Sequence, residues 1–285
     1  MKRTDFRFLE RLRVRWAEID QQKIVFNGHY LMYFDTAITG YWRALALPYA
    51  QTLEHLGGDL FVRKATVEYE GSARLDDLID VGIRSKHVGN SSMTFAAAVF
   101  RAEELLVHGE LVYVFADPVA QVSKPVPGAL REVLQDFEAG KPMVDVRVGS
   151  WAALGGHAQA IRTAVFVEEQ RIPAEMEWDA ADTTCVHAVA FNRFGVPLAT
   201  GRLLEHVPGV AKIGRMAVVQ TMRGSRIGRH VLDALMKAAR ERGDREVLLH
   251  AQLSAAPFYA RAGFSQRGPI FDEAGIPHVE MVRPL

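Results

Sequence analysis

Two short segments of this 285-residue chain hold the side chains best suited to chemistry. In the first, Asp20 precedes Asn27, His29 and Tyr30, and a helical pattern begins at Gly28. A carboxylate can attack an activated carbonyl or activate a water molecule to do so, and free N–H groups at a helix start can stabilise the resulting oxyanion. The residue types alone equally allow Asp20 to be a loop carboxylate that caps the helix.

The second segment, Arg215 to Arg229, predicts a strand, a loop rich in glycine and arginine, and the start of a helix. The backbone N–H groups of such a loop and the helix dipole favour an anion at one place. Glycine lets the backbone approach a phosphate, and arginine adds charge-assisted hydrogen bonds. We therefore predict a pyrophosphate site formed by Arg223, Gly224, Ser225, Arg226, Ile227, Gly228 and Arg229.

Apolar periodicity predicts the elements that position Asp20. From Gly28 to Leu47 apolar residues recur at the spacing of a helix with a wide buried face, and Pro48 ends the pattern. Alternation predicts strands at 79–84, 95–99 and 111–115, the last with apolar residues on both faces. The first half is therefore predicted to be an antiparallel sheet curved around one long helix.

The second half contains segments with helical periodicity and segments that alternate as strands do, which predicts an α/β domain. Helices are expected at 151–167, 229–242 and 255–262, and strands at 185–191, 196–204, 211–219 and 247–251. The single cysteine, Cys185, falls in a predicted strand, where we expect it to be buried.

Composition limits the class of protein. Proline and glycine punctuate residues 117–148, so we place a domain boundary at 140, giving domains 1–140 and 141–285. The chain has 34 basic and 34 acidic residues, which gives no support for nucleic-acid or membrane-surface binding. Its first residues are polar and no apolar run is long enough to span a bilayer, so we expect a soluble cytoplasmic protein. No histidine spacing indicates a metal site.

The first half resembles the hotdog-fold acyl-CoA thioesterases of the 4-hydroxybenzoyl-CoA class. The resemblance covers about residues 10–138 and is carried by residues 16–30, 33–37, 67–69, 89–92 and 114–118. It implies that Asp20 attacks an acyl-CoA thioester or activates water, that Asn27, His29 and Tyr30 shape the acyl pocket, and that Ser91 and Ser92 lie near the coenzyme A arm. It also implies a homodimer or homotetramer with the site between subunits.

Two positions depart from that family pattern. Lys23 stands where many relatives have glycine, and Ile24 where some have histidine. A lysine there either crowds the loop or pairs with Asp20. Both possibilities favour an alternative in which the hotdog half is a non-catalytic module for dimerisation and acyl-CoA binding.

The second half resembles the GNAT-type N-acetyltransferases over about residues 145–285. Gln220, Arg223, Gly224 and Gly228 match the pattern Gln-x-x-Arg-Gly-x-Gly-x-Gly/Ala, and Arg226 replaces its middle glycine. Residues 162–173, 251–264 and 275–278 resemble further parts of one bacterial branch of that family.

This resemblance implies acetyl-CoA as a substrate and an amine as the acceptor. Met216, Ala217 and Val218 would pair through their backbone with the pantetheine arm, and Tyr259 would protonate the departing thiolate. The general base stays open among six candidates: Glu175, Glu177, Asp179, Glu205, His187 and His278.

We therefore expect an α+β fusion of a hotdog domain and a GNAT domain that uses coenzyme A thioesters in both halves, without a metal. The expected function combines acyl-CoA hydrolysis with acetyl transfer to an amine. Two alternatives remain: the silent hotdog module described above, and a C-terminal domain that senses acetyl-CoA and regulates the hydrolase. The acyl chain, the amine and any coupling between the sites do not follow from the sequence.

Overall fold

The structure, a computed structural model, describes residues 1–273 and 275–285. It divides into two compact units, Met1–Met143 and Val144–Leu285. The division falls close to the boundary expected at residue 140.

The first unit combines an antiparallel sheet with one long helix. Its strands are β1 (Phe8–Arg13), β2 (Asp59–Tyr69), β3 (Leu78–Val88), β4 (Ser92–Arg101) and β5 (Glu104–Ala116). Its helices are α1 (His29–Ala44), α2 (Tyr49–Leu56) and α3 (Gly128–Glu138), with short 3₁₀ turns at Arg3–Asp5 and Trp16–Glu18. Within the described residues the strand order is β1-β3-β4-β5-β2, so β1 and β2 are the edges.

Helix α1 packs its apolar face on the sheet. Phe34 is fully buried there, and close approach is possible because β5 carries Gly109 beneath it. A Cβ on Gly109 would lie 2.0 Å from the carbonyl oxygen of Thr66 on β2 and 3.4 Å from the Phe34 ring. The helix ends at Ala44, earlier than expected, because Ala46 turns into the left-handed region with φ of 58°.

The strand that is buried on both faces is β4, whereas the sequence pattern assigned that role to β5. On β4 the side chains of Ala96, Ala98 and Phe100 are covered by Phe6 from the N-terminal segment. On β5 the intervening residues, such as Val112, stay half-exposed. The prediction was wrong because apolar composition does not show which face a distant segment covers.

The second unit is a larger mixed sheet flanked by helices. Its strands are β6 (Val144–Gly149), β7 (Val186–Asn192), β8 (Pro197–Val207), β9 (Val210–Val218), β10 (Glu246–Gln252), β11 (Ser265–Glu273) and β12 (Ile276–Pro284). Its helices are α4 (Trp151–Arg162), α5 (Ala174–Glu177), α6 (Ile227–Arg242) and α7 (Ala256–Arg261). In the described residues the order is β11-β12-β10-β9-β8-β7-β6, and only the pair β9 and β10 is parallel.

The segment expected as one helix over 151–167 has two parts. Helix α4 ends at Arg162, and the chain continues as a π-helix over Thr163–Glu169. Single-turn π-helices are rare and often occur at functional sites. Among the described residues, no helix is both long enough and apolar enough to cross a membrane.

Candidate active sites

Asp20 lies at the tip of a small turn between β1 and α1. Ile19 and Val25 form an antiparallel bridge, and the Asp20 N–H donates to the Ile24 carbonyl at 2.9 Å. The Asp20 Oδ1 accepts the N–H of Gln22 at 2.8 Å, so one carboxylate oxygen stabilises the turn. No described residue donates a hydrogen bond to the other oxygen, which is therefore available to a substrate.

Lys23 completes this turn in a left-handed backbone conformation, with φ of 63°. Glycine adopts that conformation without a steric penalty, which explains why glycine suits the position. The Lys23 side chain is exposed and forms no ion pair with Asp20 or with any other carboxylate of residues 1–273 and 275–285. The lysine thus keeps the geometry of the turn and leaves Asp20 uncovered.

A second carboxylate, Glu18, links the turn to α1 through a hydrogen bond. It is buried and accepts hydrogen bonds from the Tyr33 hydroxyl, the Arg15 N–H and the Arg15 Nε, each at 2.7 Å. Burial alone would raise the pKa of Glu18, but the bonds from Arg15 and Tyr33 hold it below its usual value. Sequence reasoning missed this residue, although the spacing Arg15-x-x-Glu18 is that of a capping box.

The three predicted pocket residues at the start of α1 have different surroundings. Tyr30 is buried, and its hydroxyl accepts the Ala73 N–H at 2.9 Å, so this side chain supports the segment before β3. Asn27 is exposed, and its carbonyl accepts the Tyr69 hydroxyl at 3.2 Å. His29 is half-buried.

The first turn of α1 offers free donors next to the Asp20 turn. The N–H groups of Gly28 and Leu31 donate to no acceptor among the described residues. The Phe26 N–H donates to the Glu18 carbonyl at 2.9 Å. This bond closes the Asp20 turn two residues before Gly28, where the helix end begins. A carboxylate and the positive end of a helix thus occupy adjacent segments.

Ser91 and Ser92 lie at the far end of the sheet from Asp20. The Asp20 segment begins beside the start of β3, where the Val14 N–H donates to the Asp77 carbonyl at 3.0 Å, whereas the serines follow the end of β3. At a rise of about 3.3 Å per residue, the length of β3, roughly 30 Å, lies between Val14, where the Asp20 segment begins, and the serines. A single copy of the chain therefore does not bring Asp20 together with these serines.

A cavity of about 360 Å³ lies between α1 and the strands β2, β4 and β5. Its walls include Trp42, Leu60 and Phe95, and the exposed Asp35 also lines it. The Tyr113 hydroxyl has no hydrogen-bond partner among the described residues, and burial together with Asp35 raises the pKa of Tyr113 to about 12. The cavity can hold the apolar part of a ligand, and the Tyr113 hydroxyl can form one hydrogen bond with a polar atom of that ligand.

Glu68, Glu70 and His108 are the described side chains whose ligand atoms lie close enough together to hold a metal ion. Glu68 on β2 and Glu70 directly after its end are exposed, and His108 Nε2 lies 3.2 Å from Glu70 Oε1. The group is distant in sequence from the Asp20 turn, and nothing in its surroundings indicates a bound cation.

In the second unit, β9 separates from β10 partway along its length. Pairing between them runs from Val210 to Ile213 of β9 and stops there in the described structure. Beyond that point β9 carries a bulge against β8, at which Arg215 has φ of 52°. A bulge bends its strand and increases the local twist. Residues 216–218 therefore have β8 on one side and no partner strand on the side toward β10.

The loop after β9 presents a group of unpaired backbone donors. The N–H groups of Gly224, Arg226, Ile227 and Gly228 donate to no acceptor within residues 1–273 and 275–285. Gly224 and Arg226 have φ of 83° and 66°. A Cβ on Gly228 would lie 3.1 Å from Val218 Cγ2, so glycine lets α6 begin close against the end of β9. Successive N–H groups at a helix start form a cradle for an anion.

The arginines of this loop differ in their availability to a ligand. Arg223 makes a two-pronged ion pair with Glu169, at 2.7 and 2.6 Å, and its Nε donates to the Val218 carbonyl. Arg229 contacts Asp233 at 2.9 Å. The exposed Arg226 side chain has no partner in the described structure. The two arms of the Arg223 guanidinium are thus directed at a carboxylate, and the residue holds the loop to the end of the π-helix.

Tyr259 on α7 lines a cavity of about 510 Å³ that extends along β9, β10 and β12. Burial raises the pKa of the Tyr259 phenol, so the hydroxyl stays protonated. It has no hydrogen-bond partner among the described residues. It therefore remains a free donor beside the point where β9 and β10 diverge.

A buried ion-pair network supports one wall of that cavity. Arg162 is 1% exposed and binds Glu177 at 2.5 Å and Asp182 at 2.7 Å, while Arg202 binds both Asp182 and Asp179. Burial raises the pKa of Glu177, whereas Arg202 holds the pKa of Asp179 below its usual value. These charges are mutually compensated, as buried charges must be.

The six candidate bases have separate locations. Glu177, Asp179 and His278 line the 510 Å³ cavity. Glu175 and Glu205 are exposed and do not line it, and His187 is buried with its Nε2 2.8 Å from the Asp182 carbonyl. Cys185 is buried, as expected, and burial raises the pKa of its thiol.

Each half of the chain matches a known protein family. Residues 159–285 match the acetyltransferase (GNAT) domain family, and residues 22–108 match the thioesterase superfamily. The uncharacterised N-acetyltransferase YjcF of Bacillus subtilis is 35% identical over 126 residues, which are 43% of this chain and 87% of that protein.

Two solved structures illustrate the separate halves. An acyl-CoA N-acyltransferase from Pseudomonas aeruginosa is 32% identical and covers 49% of this chain and 99% of its own, with a TM-score of 0.44. A thioesterase from Thermus thermophilus, complexed with coenzyme A and Zn, is 26% identical and covers 48% of this chain and 98% of its own, with a TM-score of 0.41. By its sequence matches, the chain belongs to the GNAT acetyltransferases through its C-terminal half, joined in one polypeptide to a hotdog domain of the thioesterase superfamily.

Proposed function

We propose that the chain is a bifunctional coenzyme A thioester enzyme. Residues 1–140 hydrolyse an acyl-CoA, and residues 141–285 transfer the acetyl group of acetyl-CoA to an amine. The observation that carries the transferase assignment is the continuity between the open edge of β9 and the four unpaired N–H groups that follow it. An extended chain of amides can add to a strand edge, and a pyrophosphate can sit on such N–H groups.

Each predicted contact of the transferase then has a specific role. Met216, Ala217 and Val218 pair with the pantetheine amides, and the N–H groups of Gly224, Arg226, Ile227 and Gly228 hold the pyrophosphate. Ser225, whose N–H and hydroxyl both donate to the Met222 carbonyl, shapes the loop between them. Arg226 and Arg229 add positive charge beside it, whereas Arg223 positions the loop through Glu169. Tyr259 presents its protonated hydroxyl to the departing sulfur.

In the hydrolase half, we assign the attack on the thioester, or on water, to Asp20. Its free carboxylate oxygen lies in the segment next to the unpaired donors of α1, which can stabilise an oxyanion. Asn27 and His29 border this position. The cavity beside Trp42 is suited to the apolar part of an acyl group.

This half acts as a homodimer or a homotetramer in our proposal. Asp20 and the turn of Ser91 and Ser92 lie at opposite ends of the sheet, so a site that uses both must combine two copies. The edge strand β2 is suited to such an assembly, because Phe61, Val62 and Tyr69 are exposed along it.

The test is release of free thiol from acyl-CoAs with short, long and aromatic acyl groups, without an amine. We expect wild type to turn over repeatedly, Asp20→Asn to lose at least 100-fold in rate on the scale of a lost nucleophile or base, and Glu54→Gln, an exposed carboxylate on α2, to match wild type. Unchanged turnover in Asp20→Asn would remove Asp20 from the reaction.

A second candidate function rests on the hydrogen bond between Asp20 Oδ1 and the Gln22 N–H. That bond alone gives Asp20 a structural role in the turn, and the hotdog half would then bind acyl-CoA and dimerise without hydrolysing it. In that case wild type releases no thiol across the panel, while an acyl-CoA still binds and can be recovered intact.

A further inference from the structure

The cavity beside Tyr259 contains a histidine whose surroundings fix its tautomer. His278 Nδ1 lies 2.8 Å from the Ile276 carbonyl oxygen. A carbonyl only accepts, so Nδ1 carries the hydrogen, and the lone pair of the neutral ring is on Nε2. No other described residue is within hydrogen-bond distance of Nε2. The Phe271 ring stacks on the imidazole, with centroids 6.1 Å apart and planes at 24°.

His278 is also placed next to the expected reaction centre. It begins the pairing of β12 with β10, where it lies opposite Gln252 at the last position of β10. By that position β9 and β10 have separated, and α7, which bears Tyr259, starts shortly afterwards. His278 and Tyr259 therefore line one cavity from adjacent elements.

The three carboxylates that line this cavity each already have a partner. Glu273 lies 3.2 Å from His250 Nδ1. Glu177 is bonded to Arg162 and lies 3.3 Å from Arg215, and the Asp179 carboxylate is bonded to Arg202. Their charges already balance buried arginines, so protonating either one would leave an arginine uncompensated.

Two other histidines line the cavity. His206 is exposed, and no described residue forms a hydrogen bond with either of its ring nitrogens, so nothing fixes its tautomer. His250 also differs from His278. Its Nδ1 is 3.2 Å from Glu273 and 3.4 Å from Lys212 Nζ, and its Nε2 is 3.7 Å from Glu280. Both ring nitrogens of His250 thus face charged neighbours. His278 is the histidine of the described cavity with one nitrogen anchored and the other open.

We propose that His278 Nε2 is the general base of acetyl transfer, an inference that rests on the transferase function proposed above. It takes one proton from the alkylammonium acceptor and passes it to solvent. The neutral amine then attacks the thioester carbonyl and forms the C–N bond. As the C–S bond breaks, the sulfur receives the proton that the acylated nitrogen sheds, relayed through the Tyr259 hydroxyl, so the reaction releases one proton in total.

Any dependence on pH also involves the other charged groups of the cavity. The groups that share it with His278 are His206 from β8, Lys212 from β9, His250 from β10, Glu273 from β11, Tyr259 from α7, and Glu177 and Asp179 with their paired arginines. The test therefore compares two nucleophiles in one protein, so that these groups are common to both reactions.

The experiment measures acetyl transfer to ethanolamine and to hydroxylamine by full-length wild type and His278→Asn, both carrying Asp20→Asn to suppress hydrolysis. Asparagine can keep the donor to the Ile276 carbonyl but has no base at the Nε2 position. Ethanolamine is largely protonated at pH 7 and needs a base, whereas hydroxylamine is largely neutral and does not. His157→Asn, at an exposed position of α4, is the matched control.

We expect His278→Asn to reduce kcat for ethanolamine by 100-fold or more at pH 7, to change transfer to hydroxylamine less than threefold, and to recover toward wild type as the pH approaches the pKa of the amine. Equal loss with both nucleophiles would overturn the base assignment and leave acetyl transfer standing. Absence of transfer to either nucleophile by wild type would contradict the proposed function and His278 with it. Nitrogen-15 NMR of the free protein adds a readout independent of activity, since a hydrogen on Nε2 of the neutral ring also contradicts the proposal.

Discussion

Lys23 and Arg226 are long cationic residues in a backbone conformation that glycine prefers, with φ of 63° and 66°. Both side chains are exposed, and both sit in turns that precede a helix carrying free N–H donors. The substitutions that distinguish this chain from its two family patterns therefore change the charge at these turns and preserve the path of the backbone. Each of these two residues destabilises the fold only through the steric strain of its own left-handed backbone conformation.

Lys23→Gly and Arg226→Gly should each raise the free energy of unfolding by about 1 kcal/mol relative to alanine at the same position, because glycine relieves the left-handed strain and alanine keeps it. Urea unfolding of the four variants measures this difference. Equal stability of the glycine and alanine variants would contradict the assigned conformation.

We expect His187 to make a pH-dependent contribution to the free energy of unfolding of the second unit. Burial lowers the pKa of His187 below the 6.5 of a free histidine, so the folded state binds fewer protons than the unfolded state once the pH falls below that value. Its stabilising effect is complete above pH 6.5 and is lost below it, by at most about 1.4 kcal/mol per pH unit. His187→Gln can keep the donor to the Asp182 carbonyl and removes the titration.

Urea unfolding at pH 7 and pH 5 compares the two proteins. Wild type should lose more stability than His187→Gln over this range, and the opposite contribution of Glu177, whose pKa is raised, cancels in the comparison. Parallel losses would show that His187 titrates as it does in the unfolded chain.

Among the elements, the π-helix is joined to the loop of Arg223 to Arg229, the proposed pyrophosphate site, by the ion pair of Glu169 and Arg223. Simple electrostatics predicts that removing an acidic residue near a polyanion tightens binding. If Glu169 instead fixes the position of the loop, its removal weakens binding. The sign of the change in affinity therefore separates the two roles.

We expect Glu169→Gln to raise the Kd for coenzyme A by about three- to tenfold, corresponding to roughly 1 kcal/mol. The neighbouring Glu168→Gln, which removes an exposed charge outside this ion pair, should leave the Kd unchanged or slightly lower. Calorimetry on the full chain measures both variants. Tighter binding by Glu169→Gln would exclude the positioning role.

Sequence periodicity anticipated the elements with one regular face. It located α1, α6 and the hairpin of β7 and β8 to within a few residues, because each buries a continuous apolar stripe or alternates cleanly. It did not delimit β2, whose side chains are largely exposed because it is an edge strand. It also could not distinguish the π-turn after Arg162 from a continuing α-helix.

For the candidate site residues too, local sequence patterns do not reveal contacts between residues that are far apart in the chain. Asp20 and the loop of Arg223 to Arg229 could be named as candidates because each motif is contiguous in sequence. The pairing of Glu169 with Arg223 joins positions 54 residues apart, and the distance between Asp20 and Ser91 depends on the length and direction of β3. Neither relation is encoded by local spacing, so the sequence indicated the residues but not their arrangement.

For the whole molecule, the two proposed activities should respond differently to dilution. In our proposal the hydrolase site uses two copies of the chain, whereas all assigned transferase residues belong to one unit of one chain. Hydrolysis per chain should therefore fall when the protein is diluted below the dissociation constant of the assembly, and acetyl transfer per chain should stay constant. Light scattering over the same concentrations identifies the assembly, and hydrolysis that is independent of concentration in a monomer would contradict the shared site.

The separation of Asp20 from the Ser91 turn also has a genetic consequence. If the site is shared between two copies as proposed, a chain altered at Asp20 and a chain altered at the serine turn would each be inactive alone, but a mixed dimer would contain one site that takes both groups from unaltered segments. Two defective alleles in one cell would thus complement each other in hydrolysis. Two defects within the acetyltransferase half, whose residues come from a single chain, would not.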